Sequence, residues 1–80
     1  MAAWTVFSRP GCGLCEELLQ ALAEQLGSRN DEVTVIDITD DPALEQRYGT
    51  RIPVLLADGE FVCAYHLDVE RVAAHLDGGR

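Results

Sequence analysis

No stretch of this 80-residue chain approaches the roughly 20 consecutive apolar residues of a membrane-spanning helix, so no membrane partner is expected. Basic residues are scarce, six against fourteen acidic. The resulting net charge of −8 repels nucleic acid as well as anionic membrane. Cysteine is scarce too: three thiols, an odd and low count, do not make the stapled framework of a small secreted domain. The first seven residues have neither a basic start nor a long apolar region, so no secretory signal is expected and the chain reads as cytoplasmic. Repeats, linkers and low-complexity runs are missing, and only Gly78-Gly79-Arg80 reads as a frayed tail. What is present is a hydrophobic content of 48%, which predicts one domain over residues 1–80 with a modest core, and a monomer.

The apolar positions follow the order strand, helix, strand, short helix, strand, strand, helix. Trp4-Thr5-Val6-Phe7 reads as the first strand, with Trp4 and Phe7 in the sheet core, and Ser8-Arg9-Pro10-Gly11 as a short breaker. From Cys12 the chain turns helical to about Leu26. Cys15, Leu18, Leu19, Leu22 and Leu26 make one apolar stripe, Glu16, Glu17, Gln20 and Glu24 fall mostly outside it, and Gly27 ends the helix. Residues 33–38 are β-branched and apolar on both faces, which predicts a central parallel strand and a right-handed βαβ unit. Asp40-Asp41-Pro42 opens a short helix that uses Leu44 and Tyr48 and stops at Gly49. Residues 52–57 form a strand that Asp58-Gly59 turns back into a second strand, residues 60–64. Asp68 caps the last helix, which places Val69, Val72, Ala73 and Leu76 on its apolar side and His75 toward solvent. The fold class is α/β: a four-stranded mixed sheet with three helices, βαβαββα, covered on both faces.

Two of the three thiols stand in Cys12-Gly13-Leu14-Cys15, at the junction of strand and helix. Thiols three positions apart at a helix start can exchange one disulfide, and the helix N-terminus supplies partial positive charge and free N–H groups that favour a thiolate. Cys12 stands at the exposed end and is the natural nucleophile, whereas Cys15 falls in the buried stripe. Arg9 favours the thiolate; Glu16 and Glu17 oppose it. In this element order the third strand runs antiparallel to the first, which brings Pro53 beside Cys12. A cis proline there leaves the Ile52 backbone unpaired and turned toward the thiols, open to strand-like pairing with an extended substrate. A plain strand-opening proline is the alternative.

Phe7-Ser8-Arg9-Pro10-Gly11-Cys12-Gly13-Leu14-Cys15 resembles the active-site stretch of glutaredoxins, and Tyr48-Gly49-Thr50-Arg51-Ile52-Pro53-Val54-Leu55-Leu56 resembles the cis-proline segment of thioredoxins. The resemblance runs from about Trp4 to Leu76. It implies a thioredoxin fold and a glutaredoxin-like thiol–disulfide oxidoreductase in which Cys12 attacks, Cys15 resolves and Ile52–Pro53 is the cis peptide. Arg9 stands where glutaredoxins commonly carry a lysine that meets a glutathione carboxylate, and Gly13, Leu14, Arg51 and Ile52 complete the implied substrate-binding set. No bound cofactor is implied; glutathione is the candidate co-substrate, and a disulfide or glutathionylated protein the partner. Two departures stand out. Gly13 and Leu14 replace the usual proline and aromatic, and Cys63-Ala64-Tyr65-His66-Leu67 lacks the Gly-Gly and acidic pair that holds the glutamyl end of glutathione. Weak glutathione binding, mainly through Arg9 and the Ile52 backbone, is therefore expected.

Two other functions fit the residues. Cys12, Cys15, Cys63 and His66 have spacings found in zinc or iron–sulfur sites, although Cys63 taken alone is a small core hydrophobe. Alternatively, the chain keeps the fold as a redox-inactive interaction module. Asp37, near a strand end, is either a proton carrier facing the thiols or an exposed carboxylate.

Overall fold

Four short strands pair into one sheet whose order puts the first strand inside it. The computed structural model describes residues 3–27 and 32–78, with side chains through residue 76. Strand β1 (Ala3–Ser8) runs parallel to β2 (Glu32–Asp37) and antiparallel to β3 (Val54–Ala57), and β4 (Glu60–Ala64) forms the other edge, giving the order β2-β1-β3-β4. Asp58 and Gly59 have φ of 51° and 86°, the left-handed pair that a two-residue hairpin needs to match strand twist. The Asp58 N–H donates to the Ala3 carbonyl at 2.8 Å and the Ala3 N–H to the Asp58 carboxylate at 2.9 Å, tying this hairpin to the start of β1.

Side-chain alternation along β1 divides the core. Trp4 and Val6 face α1 (Gly13–Leu26) and α3 (Val69–Gly78), packing with Leu18, Leu22, Leu26, Leu55, Val62 and Val72. Phe7 faces the other way, with Ile38 and Val54, under Leu44 and Tyr48 of α2 (Pro42–Tyr48). The expected cover on both faces is therefore present. Each fully buried large side chain contributes roughly 1.5–3 kcal/mol, so the Trp4–Leu18–Leu22 layer carries much of the fold. Helix ends follow their local chemistry. The Asp41 carboxylate accepts from the N–H groups of Ala43 and Leu44 at 3.0 and 3.4 Å, and Asp68 from that of Arg71 at 3.1 Å. Gly27, at φ 59°, closes α1 with its N–H on the Ala23 carbonyl. None of the described helices is long and apolar enough to cross a membrane.

Several expectations are corrected. Residues 33–38 were expected as a central strand, but β2 spans Glu32–Asp37 and lies at an edge, with Val33 40% and Val35 51% exposed. The register puts those valines beside Trp4 and Val6, yet α1 centres over β1 and β3 and leaves this flank open. Ile38 is fully buried because it leaves the strand: Asp37 caps a 3₁₀ turn, Ile38–Asp40, that leads into α2. Strand β3 begins at Val54, two residues later than expected, leaving Ile52 outside the ladder. On α3, Val69 is exposed at the first turn, and His75 meets the edge of Trp4 (ring centroids 6.1 Å apart) in place of facing solvent. Gly78 closes α3 and is not part of a tail; residues 79–80 lie outside the described residues.

Candidate active site

The antiparallel register pairs Phe7 with Val54, so the segment after β1 and the segment before β3 meet at one end of the sheet. Ser8 is followed by a turn through Gly11, at φ 78°, and Cys12 then takes the N-cap of α1 in an extended conformation. Its sulfur accepts the Cys15 N–H at 3.1 Å, one of the orphan donors of a helix start. Cys12 and Cys15 are joined as a disulfide with Cα atoms 5.2 Å apart. Their surroundings differ. Cys15 is 1% exposed, whereas Cys12 is half-buried and reachable from outside. Gly13 and Leu14, between them, are exposed.

Ile52–Pro53 is a cis peptide, as anticipated, and Pro53 is buried beneath this corner. The Pro53 carbonyl accepts the Tyr65 N–H at 2.8 Å, and the Tyr65 hydroxyl donates to the Thr50 carbonyl at 2.9 Å. Tyr65 therefore straddles the loop on both sides of Ile52. Ile52 itself has no backbone hydrogen bond to any described residue, which leaves its N–H and C=O open for an added strand. Tyr65 holds φ 71°, an uncommon conformation for a residue with a side chain. It stands in the segment where the glutaredoxin pattern calls for Gly-Gly. Sequence reading passed over this role, because only the missing glycines marked the place.

Arg9 is elsewhere engaged. Its guanidinium meets the Glu45 carboxylate at 2.6 Å and donates to the Gly49 carbonyl at 3.3 Å, pinning the segment after β1 to both ends of α2's last turn. A side chain at Gly49 would run into the Glu45 carbonyl and come within 3.4 Å of the Arg9 guanidinium. Arg51 is exposed, with its N–H on the Tyr48 carbonyl. Asp37 is an exposed carboxylate that caps the 3₁₀ turn after β2. Its carboxylate accepts from the Thr39 hydroxyl at 2.6 Å and the Thr39 N–H at 2.9 Å, and these bonds hold its pKa below the usual value. Cys63 is buried on β4 opposite Leu55; burial raises its thiol pKa. Among the described residues no group of three or more His, Cys, Asp or Glu is placed to hold a metal ion, so the four-ligand arrangement with Cys63 and His66 is not assembled.

This architecture and sequence match the glutaredoxin-like domain family (DUF836) over residues 4–77. The chain belongs to that family. It is 29% identical, over 89% of its own length and 78% of the other's, to an uncharacterized protein of Mycobacterium tuberculosis. The solution structure of protein Ne2328 from Nitrosomonas europaea superposes with a TM-score of 0.83 at 33% identity, covering 92% of this chain and 89% of that one. A mutant thioredoxin from Halobacterium salinarum gives a TM-score of 0.60 at 27% identity over 96% of this chain and 73% of its own. The glutaredoxin-like chain thus has the thioredoxin fold, with its Cys-x-x-Cys pair at disulfide distance.

Proposed function

We propose that this glutaredoxin-like protein is a thiol–disulfide oxidoreductase acting on protein disulfides through Cys12 and Cys15. The observation that supports it most is the asymmetry of the pair: one sulfur reachable at a helix start, its partner sealed in the core, beside a peptide unit free to pair with an extended chain. In the reduced protein, the Cys12 thiolate attacks a substrate disulfide RS–SR′. A Cys12–S–S–R bond forms, the RS–SR′ bond breaks, and R′S⁻ leaves and takes a proton from solvent. The Cys15 thiol then loses its proton and attacks the Cys12 sulfur, so that RS⁻ leaves and the Cys12–Cys15 disulfide closes. Two electrons pass from the dithiol to the substrate, and an external thiol or dithiol must return them. The helix N-terminus and the Cys15 N–H favour charge on Cys12, against the opposing Glu16.

Glutathione binds this site weakly in the same reading. Arg9 meets its carboxylate only in competition with Glu45, Tyr65 fills ground that its glutamyl end would use, and Ile52 supplies the pairing edge. A disulfide-bearing or glutathionylated protein brings contacts of its own and is the substrate class we favour. The low, odd cysteine count fits a reducing, cytoplasmic setting. The test is turnover of a disulfide substrate by three proteins. Cys12→Ser should be inactive and Cys15→Ser should accumulate a mixed disulfide at Cys12, visible by mass spectrometry. Full activity of Cys12→Ser would refute the assignment.

A further inference from the structure

Cations are few in this chain, and two of the four described arginines are already paired with carboxylates. Arg9 is paired with Glu45, and Arg71 with Asp68 at 3.6 Å while it also donates to the Val62 carbonyl. Arg47 and Arg51 have no carboxylate partner among the described residues, and both line the same recess on the α2 side of the sheet. Among the described residues no carboxylate lines that recess, although the chain carries fourteen. Two arginines lining one recess, with no carboxylate among its described lining residues, make it locally positive in a protein of net charge −8.

The remaining walls are flat and apolar. The Tyr48 ring is fixed by stacking on Phe7, with centroids 4.4 Å apart, and the Arg47 guanidinium carbon lies 5.5 Å from the Tyr48 centroid. Across from it, Phe61 on β4 is 55% exposed beside Leu56, and Gly59 closes the hairpin end. The volume is about 280 Å³, just under the roughly 300–1,000 Å³ of sites for drug-sized molecules, and so suits one ring with one charged group. The hairpin is bonded to Ala3, whereas Cys12 follows the opposite end of β1. Five steps of about 3.3 Å along β1 separate that end of the recess by about 17 Å from Ser8, after which the chain turns to the dithiol.

We propose that this recess binds a small anion carried on a single flat ring, an aryl phosphate or aryl carboxylate. Arg47 and Arg51 take the anion, the exposed face of Phe61 takes the ring, and Tyr48, its faces against Phe7 and Arg47, closes the wall by its edge. The recess shares Arg51 with the segment before the cis Ile52–Pro53 bond, but its ligand takes no part in the sulfur exchange assigned to Cys12 and Cys15.

A titration of the whole oxidised protein followed by ¹H–¹⁵N NMR tests it, with phenyl phosphate and benzoate as the two aryl anions and inorganic phosphate and benzyl alcohol as their halves. Saturable shifts centred on the Arg51, Gly59 and Phe61 amides are expected, with one aryl anion binding at least about tenfold more tightly than either half; the tighter of the two identifies the head group. Arg47→Gln/Arg51→Gln should weaken it about tenfold or more, as loss of charged hydrogen bonds does. Phe61→Ala should weaken the aryl anion while leaving inorganic phosphate unchanged. All three replaced side chains are exposed, and each single arginine variant gives a second reading of the same loss. The proposal is overturned by no saturable shift with either aryl anion, by shifts centred on Cys12, by inorganic phosphate binding as tightly as the aryl anions, or by a double variant that binds like the parent.

Discussion

Replacing Glu45 with glutamine sets two duties of Arg9 against each other. In the native protein the guanidinium meets Glu45 at 2.6 Å, but the two side chains are 37% and 43% exposed. Water screens such a pair, so it is worth about 0.5–1 kcal/mol and not the several of a buried one. Glu45→Gln removes that charge and leaves Arg9 on the Gly49 carbonyl alone, with donors free to turn toward a glutathione carboxylate. If the ion pair is what glutathione must displace, affinity rises by the same free energy, about two- to fivefold. Stability falls correspondingly, lowering Tm by about 2–8 °C in a domain of this size. The assay is NMR titration with reduced glutathione in a Cys12→Ser background, where no mixed disulfide forms. Glu24→Gln, an exposed change of equal charge on α1, controls for net charge. The gain should shrink at high salt. Unchanged or weaker binding, or an equal gain in the Glu24→Gln control, would refute competition at Arg9.

Three further outcomes follow from burial and capping. In the reduced protein at about pH 8, iodoacetamide should label Cys12 rapidly and Cys63 only in denaturant, because burial holds the Cys63 thiol up; equal labelling rates by mass spectrometry would contradict this. Asp37, with its pKa lowered chiefly by the Thr39 hydroxyl, contributes stability above the ordinary carboxylate range, and this is lost as pH falls through its folded value, since the unfolded chain takes the proton first. Urea midpoints of Asp37→Asn should therefore lie below the parent's near neutral pH and approach them as pH falls through and below the ordinary carboxylate range; a constant gap would show another cause. Leu22→Ala empties a fully buried position and should cost about 2–5 kcal/mol, read by urea denaturation, whereas a cost under 1 kcal/mol would mean the core collapses around it.

Local chemistry was legible in the sequence wherever a residue acts on its own neighbours. Cys12 at a helix start, Asp41-Pro42 opening α2, Asp58-Gly59 turning the hairpin and Asp68 capping α3 all stand where the spacing puts them. Pro53 beside the dithiol followed from antiparallel pairing of β1 and β3. The misreadings concern distances along the chain. Val33 and Val35 carry the same β-branched signature at an edge as in a centre, and only the reach of α1 over the sheet separates the two. Arg9 and Glu45 lie 36 positions apart, so charge alone could not tell an internal partner from a ligand. His75 lies toward Trp4 because α3 crosses the face that holds the indole, a relation that helical periodicity does not contain.

Burial of Cys15 also fixes how a bound substrate is let go. A sulfur that is 1% exposed is shielded from free thiols in solution, yet its Cα lies 5.2 Å from that of Cys12. In the proposed exchange Cys15 is a releasing thiol held in the same molecule as the mixed disulfide at Cys12, and its effective molarity is set by geometry and not by supply. Release through Cys15 is a first-order step whose rate does not depend on how much thiol surrounds the protein, and it competes with external thiols that reach the bond at the half-buried Cys12. The dwell time of a captured partner is then a property of the first turn of α1, governed by how readily that turn lets Cys15 swing toward its neighbour.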